Sequence, residues 1–184
     1  MQKIHYPFCW LFLMAPMLGF AQAYTVQNQV NVMITQLQNI SVTQPSVSLP
    51  LTTAAAYISG SASAQQTNHI KIVSTVTYQV SVRAQQQFLS FNGTSSTIPV
   101  NSIEVQTTIG ADFTGIDAPV SISPQIAQAV ALSNAETILI SNAPPEGGRG
   151  YNVTYAISAA NTVYYLNQPA GIYTTIIVYT LSAQ

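Results

Sequence analysis

Charge is what this sequence has least of. Its 184 residues include 4 Lys and Arg and 5 Asp and Glu, 5 % of the chain, for a formal net charge of −1. Lys3 sits at the extreme N-terminus, which leaves Lys71, Arg83 and Arg149 as the strong bases of the remainder. Bases so few and so scattered cannot neutralise a phosphate backbone, so nucleic acid is excluded as an expected partner. The Lys/Arg-rich face of a membrane-surface helix is missing for the same reason. Weak net charge also does little to hold copies of a protein apart, which suits association.

Cysteine and histidine are nearly absent too. The one Cys, Cys9, and the one Trp, Trp10, both fall in the first apolar stretch, and beyond His5 the only His is His69. Nucleophilic catalysis by Ser needs a neighbouring base, and no G-x-S-x-G turn is present. A zinc set cannot be built from one His and no Cys. Glu104, Asp112, Asp117, Glu136 and Glu146 are too few and too dispersed to suggest a pair of glycosidase carboxylates. Asp112 and Asp117 lack the oxygen-ligand spacing of a calcium loop. The glycines around Arg149 precede no helix, so they make no phosphate cradle. No catalytic residue, metal or cofactor is expected, and His69 is read as a structural residue at the start of a strand, in an edge or turn setting.

No apolar run is long enough to span a bilayer, which takes about 20 residues. Residues 8–20 are apolar but interrupted by Pro16, preceded by Lys3 and followed by Ala21-Gln22-Ala23. Positive charge, apolar core and A-x-A in that order describe a secretory signal peptide over residues 1–23. The expected mature protein starts at Tyr24, is secreted to the extracellular space or cell surface, inserts in no membrane after cleavage and has no disulfide. Residues 24–184 suffice for one domain with its own core.

What the sequence has in quantity is Val, Ile, Thr, Ser and Tyr in period two. Tyr24, Val26, Val30, Val32 and Ile34 share one parity, the pattern of a half-buried strand over 24–35. A weaker run covers 37–42, and Pro45 and Pro50 bracket a short one through Val47 and Leu49. Residues 52–66 are small and polar, with a short strand possible at Tyr57-Ile58. The best signal is 69–84, where Ile70, Ile72, Val76, Tyr78, Val80, Val82 and Ala84 share a parity. That run is long for one strand, and its parity lapses near Val73-Ser74, so a bend passing the chain between sheets is expected there. Asn92-Gly93 marks a turn. Further strands are read at 98–109, 137–140, 151–158 and 172–181, with loops at 110–119 and 143–150 and an ambiguous segment at 121–133. The last strand is apolar or β-branched on both faces and is expected to lie between neighbours or to be covered on both sides. Tyr78, Tyr151, Tyr155, Tyr173 and Tyr179 fall at inward parities. The total, about eight to ten short strands without a helical period or an internal repeat, predicts an all-β, Ig-like antiparallel β-sandwich.

Two segments resemble a known group. Residues 69–84, HIKIVSTVTYQVSVRA, are similar to the paired-strand segment of bacterial secreted pilin-like and WxL-like β-sandwich domains. Residues 169–181, PAGIYTTIIVYTL, resemble the terminal strand of the same group, which includes spore-coat-U-like surface domains. Tyr179-Thr180-Leu181 stands where W-x-L would fall, and the spore-coat-U cysteines are absent. The resemblance implies an exported sandwich with binding or fibre-building roles and no catalysis.

Two functions follow as expectations. The first is a structural or adhesive surface subunit whose segment 24–35 adds, through Val26, Val30, Val32 and Ile34, to the sheet of another copy or another surface protein. The same segment read as the first strand of a closed monomer is the alternative use. The second is a monomeric carbohydrate-binding module, with Tyr164 and Tyr165 as the exposed pair, beside the 143–150 loop, that would stack on a glycan. Asn39, Asn92 and Asn152 head N-x-[ST] triplets, which are glycan acceptors in a glycosylating host.

Overall fold

The computed structural model describes residues 27–112 and 123–184, and the chain divides into two units, residues 1–34 and 35–184. The expected signal peptide, Val26 and Asp117 lie outside the described residues.

The strongest period-two run of the sequence folds as two strands in two different sheets. The expected bend is at Ser74: β3 (Gln66–Ser74) ends there and β4 (Tyr78–Ala84) begins after a three-residue turn. Ser74 makes that turn itself, because its Oγ donates to the Val76 carbonyl at 2.6 Å and accepts from the Val76 N–H at 3.3 Å. β3 belongs to a sheet ordered β1-β3-β11-β7-β9, with β1 (Gln38–Val42), β11 (Glu146–Ser158), β7 (Glu104–Asp112) and β9 (Val130–Ala131). β2 (Gly60–Ala62) adds to β11. β4 belongs to a second sheet ordered β13-β4-β10-β8, with β13 (Ile177–Ala183), β10 (Thr137–Ala143) and β8 (Gln125–Ile126). A small third sheet joins β12 (Tyr173–Thr174), β5 (Phe88–Phe91) and β6 (Thr94–Pro99). Every pairing among these strands is antiparallel, so the all-β sandwich expectation holds.

One buried cluster joins the two large sheets. Ile70 and Ile72 of β3, Tyr151 and Val153 of β11 and Val105 of β7 meet Tyr78, Val80 and Val82 of β4 and Leu139 and Ile140 of β10. Two hydroxyl pairs bridge the same gap: Tyr78 Oη to Tyr151 Oη at 2.8 Å, and Tyr155 Oη to Tyr179 Oη at 2.7 Å. A buried tyrosine must find a partner for its hydroxyl, and here each finds it on the opposite sheet.

Several local readings are corrected. The 143–150 segment is not an exposed loop. β10 runs to Ala143, Pro144 and Pro145 make the whole connection, and β11 starts at Glu146, which is buried. The glycines permit close approach: a Cβ on Gly150 or on Gly110 would strike the side chain of Asn68. Asn68 itself has φ +48°, and its Oδ1 accepts from the Ala111 N–H at 2.9 Å. This insertion bulges β3, and in consequence His69 and Ile70 are both buried although they are consecutive. His69 is therefore an interior residue of a central strand, not an edge or turn residue.

The 98–109 run is broken at Val100–Ser102 by a turn of 3-10 helix that carries the chain from β6 to β7. Residues 54–59 form a helix, α1 (Ala54–Ser59), because Thr53 caps three alanines by accepting from the Ala56 N–H at 3.2 Å. The ambiguous 121–133 stretch becomes, in its described part, the short strands β8 and β9. The expected last strand splits at Thr175-Ile176, and its main part, β13, is among the described residues an edge strand paired only with β4. Asn92-Gly93 forms the β5–β6 turn with φ of +49° and +79°, the two positive values that a type I′ hairpin needs.

Candidate functional site

Two features of the folded chain are open to a partner. The first is a pair of bare sheet edges. Among the described residues β1 pairs with β3 alone and β13 with β4 alone, so each has one edge without a strand partner. The two strands run close to one another on the same side of the sandwich. Natural edges are blunted by Lys, Pro or an inward charge. β1 reads QNISV and β13 reads IVYTLSA, and neither contains such a residue.

Just ahead of β1 in the chain, residues 27–35 carry no strand. Val30, Val32, Met33 and Ile34 are 77, 78, 90 and 85 % exposed. The half-buried strand expected over 24–35 is thus not formed in its described part. Period alone marks side chains that suit burial and does not supply a strand partner. The nearest anchored residue is Leu37, whose N–H donates to Thr75 Oγ1 at 2.9 Å.

The second feature is a cleft of about 830 Å³. Its lining includes residues 44–52, which form no strand, residues 168–177, and His69, Tyr155 and Tyr179. The floor is hydrogen-bonded: His69 Nε2 meets Tyr155 Oη at 3.2 Å, and Tyr155 Oη meets Tyr179 Oη at 2.7 Å. The His69 ring packs edge-on to both tyrosines, with centroids 6.1 and 6.2 Å away. Burial lowers the pKa of His69, and it raises those of Tyr155 and Tyr179. All three groups are therefore neutral near pH 7. Among the described residues no Asp, Glu, Lys or Arg lines the cleft.

Tyr164 and Tyr165 are not both exposed as the sequence suggests. They end a 3-10 helix over Ala159–Tyr165, where successive side chains diverge by about 120°. Tyr164 is 43 % exposed, whereas Tyr165 turns inward, lines the cleft and bonds Ser102 Oγ at 2.8 Å. Asn39 and Asn92 are exposed, on β1 and on the hairpin turn. Asn152 is committed within the fold: its Oδ1 accepts from the Asn68 N–H at 2.8 Å and its Nδ2 donates to the Ile109 carbonyl at 3.2 Å. Among the described residues no group of three or more His, Cys, Asp or Glu could hold a metal ion. No helix among them is long and apolar enough to cross a membrane.

The sequence reading missed the cleft. Its one available signal was the parity of Val47, Leu49 and Leu51 between and beside two prolines, which fits an extended segment laid over the core without pairing. The inward tyrosines were legible, but their convergence on His69 depends on the bulge at Asn68. The sequence matches no protein-family model, and no curated protein is significantly similar to it.

Proposed function

We propose that this protein is a non-enzymatic, secreted surface subunit that associates with further copies by strand addition, residues 24–35 of one copy pairing with a free sheet edge of the next. The observation that carries the reading is the exposure of Val30, Val32, Met33 and Ile34 in a segment without secondary structure that retains strand alternation. Added to an edge, such a segment satisfies backbone groups on both partners and turns one row of side chains inward. β13, with seven residues, is the longer of the two bare edges. Burying Val26, Val30, Val32 and Ile34 contributes on the order of 6–12 kcal/mol gross, at roughly 1.5–3 kcal/mol per side chain. Association costs roughly 4–15 kcal/mol, so the backbone hydrogen bonds decide whether the contact lasts.

The test is size-exclusion chromatography with light scattering and electron microscopy on the secreted protein. Wild type is expected to form multimers. Val32→Asp, on the inward face, should dissociate them, and Asn31→Asp, which adds the same charge to the opposite face, should not. A wild type that stays monomeric at 100 µM, as an order-of-magnitude upper concentration for a micromolar contact, sinks the reading. So does equal loss of multimers in both variants.

A further inference from the structure

The cleft, independently of strand addition, has the makings of a site for a small molecule. Its volume of about 830 Å³ lies within the usual range for ligand pockets, which are mostly apolar with a few placed polar groups. Leu49, Leu51, Ile103, Ile157 and Ile177 supply apolar surface, and Ile172 and Ile176, both largely exposed, add to its rim. Its wall also holds unspent hydrogen-bonding capacity. His69 is 2 % exposed, yet its Nδ1 has no partner, and Thr175 Oγ1 is covered and equally without one. Buried polar atoms are paired in the great majority of cases, so two orphans in the wall of one cleft are notable. The Tyr155–Tyr179 pair fixes the ring of His69 through Nε2, and this leaves Nδ1 as the atom with capacity to spare.

We propose that this cleft binds an uncharged, largely apolar molecule bearing a hydroxyl or carbonyl group, which completes the hydrogen bonding of His69 or Thr175. The absence of any charged side chain from the lining selects against ionic ligands, because an ion entering it would lose its hydration without gaining a counter-charge. Both orphan atoms belong to residues that line the cleft and are themselves covered, so a ligand reaches them only when a neighbouring side chain moves aside. A neutral hydroxyl tolerates either tautomer of His69, since it both donates and accepts.

The experiment uses the full chain and the neutral dye N-phenyl-1-naphthylamine, followed by fluorescence, with decan-1-ol and decanoate as competitors at neutral pH. Saturable dye binding is expected, displaced by decan-1-ol at least tenfold more effectively than by decanoate. Leu49→Trp, which fills the cleft, should weaken the dye at least tenfold; Val47→Trp replaces it if that variant does not fold. Ile138→Trp, at an exposed position outside the lining, should leave dye binding unchanged. Thr175→Val removes a hydroxyl that nothing in the fold uses, so it should keep the fold and the dye affinity while weakening decan-1-ol severalfold. Equal displacement by decanoate, indifference to both Trp variants, or no saturable dye binding overturns the proposal. Displacement of the dye by a peptide of residues 24–34 at least as effectively as by decan-1-ol also overturns it, by showing that the cleft takes an extended chain.

Discussion

The two tyrosine pairs that bridge the sheets make the most demanding prediction. Tyr78 and Tyr151 are fully buried, and each hydroxyl has the other as its hydrogen-bond partner at 2.8 Å. Tyr78→Phe keeps the ring and its packing but leaves the Tyr151 hydroxyl buried and unpaired. That omission costs about 1–3 kcal/mol, more than the net worth of a bond exchanged with water, which is about 1 kcal/mol. Tyr151→Phe is expected to cost the same, for the same reason seen from the opposite sheet. Tyr78→Phe/Tyr151→Phe removes both hydroxyls, so nothing polar is stranded. It should lie within about 1 kcal/mol of wild type, so the double-mutant cycle should show a coupling of at least about 1 kcal/mol that approaches the sum of the two single costs. Urea denaturation followed by tyrosine fluorescence reads this as a midpoint shift of roughly 0.5–1 M for each single variant at an unchanged m-value. Single variants indistinguishable from wild type, or a double variant as destabilised as the sum of the two, would refute the claim that the pair is isolated from other partners and from water.

Two further outcomes follow. Gly150→Ala places a methyl group against the Asn68 side chain and the bulge it supports, and should cost on the order of 2–4 kcal/mol; Gly93→Ala has open space around it but φ +79°, and should cost only about 1 kcal/mol, so thermal melting should rank the two well apart. Stability should fall at both ends of the pH scale, measured by urea midpoints from pH 4 to 12. On the acid side, the unfolded chain protonates His69 near 6.5 while the folded one, whose pKa is lowered by burial between Tyr155 and Tyr179, does not, so stability declines below about pH 6.5. On the alkaline side, the unfolded tyrosines ionise near 10 while burial pushes Tyr151 up to about 12, and stability is lost as pH rises between those values. His69→Gln should flatten the acid limb alone.

Much of the fold was legible because period two needs no tertiary information. Ile70, Ile72, Tyr78, Val80 and Val82 read as inward residues and are buried, and the lapse of parity at Ser74 marked the passage between sheets. The turn at Asn92-Gly93 was equally local, since positive φ restricts the choice of residue. The failures share a cause. The Pro- and Gly-rich 143–150 stretch has the composition of a loop, but from Glu146 it is strand, with Gly150 packed against Asn68, a residue distant in sequence. Residues 27–35 have the pattern of a strand, yet among the described residues they pair with nothing.

The sequence by itself therefore determined the class of protein: scarce charge, no cysteine after the first apolar stretch and alternating β-branched residues leave an antiparallel sandwich held by packing. The tertiary structure alone decided which edges stay bare, that His69 is interior, and that a segment bracketed by prolines walls an uncharged cleft. The physical reason is that alternation says which side chains want burial, whereas pairing, bulges and the choice of neighbour depend on contacts between residues far apart in the chain, which no local period encodes.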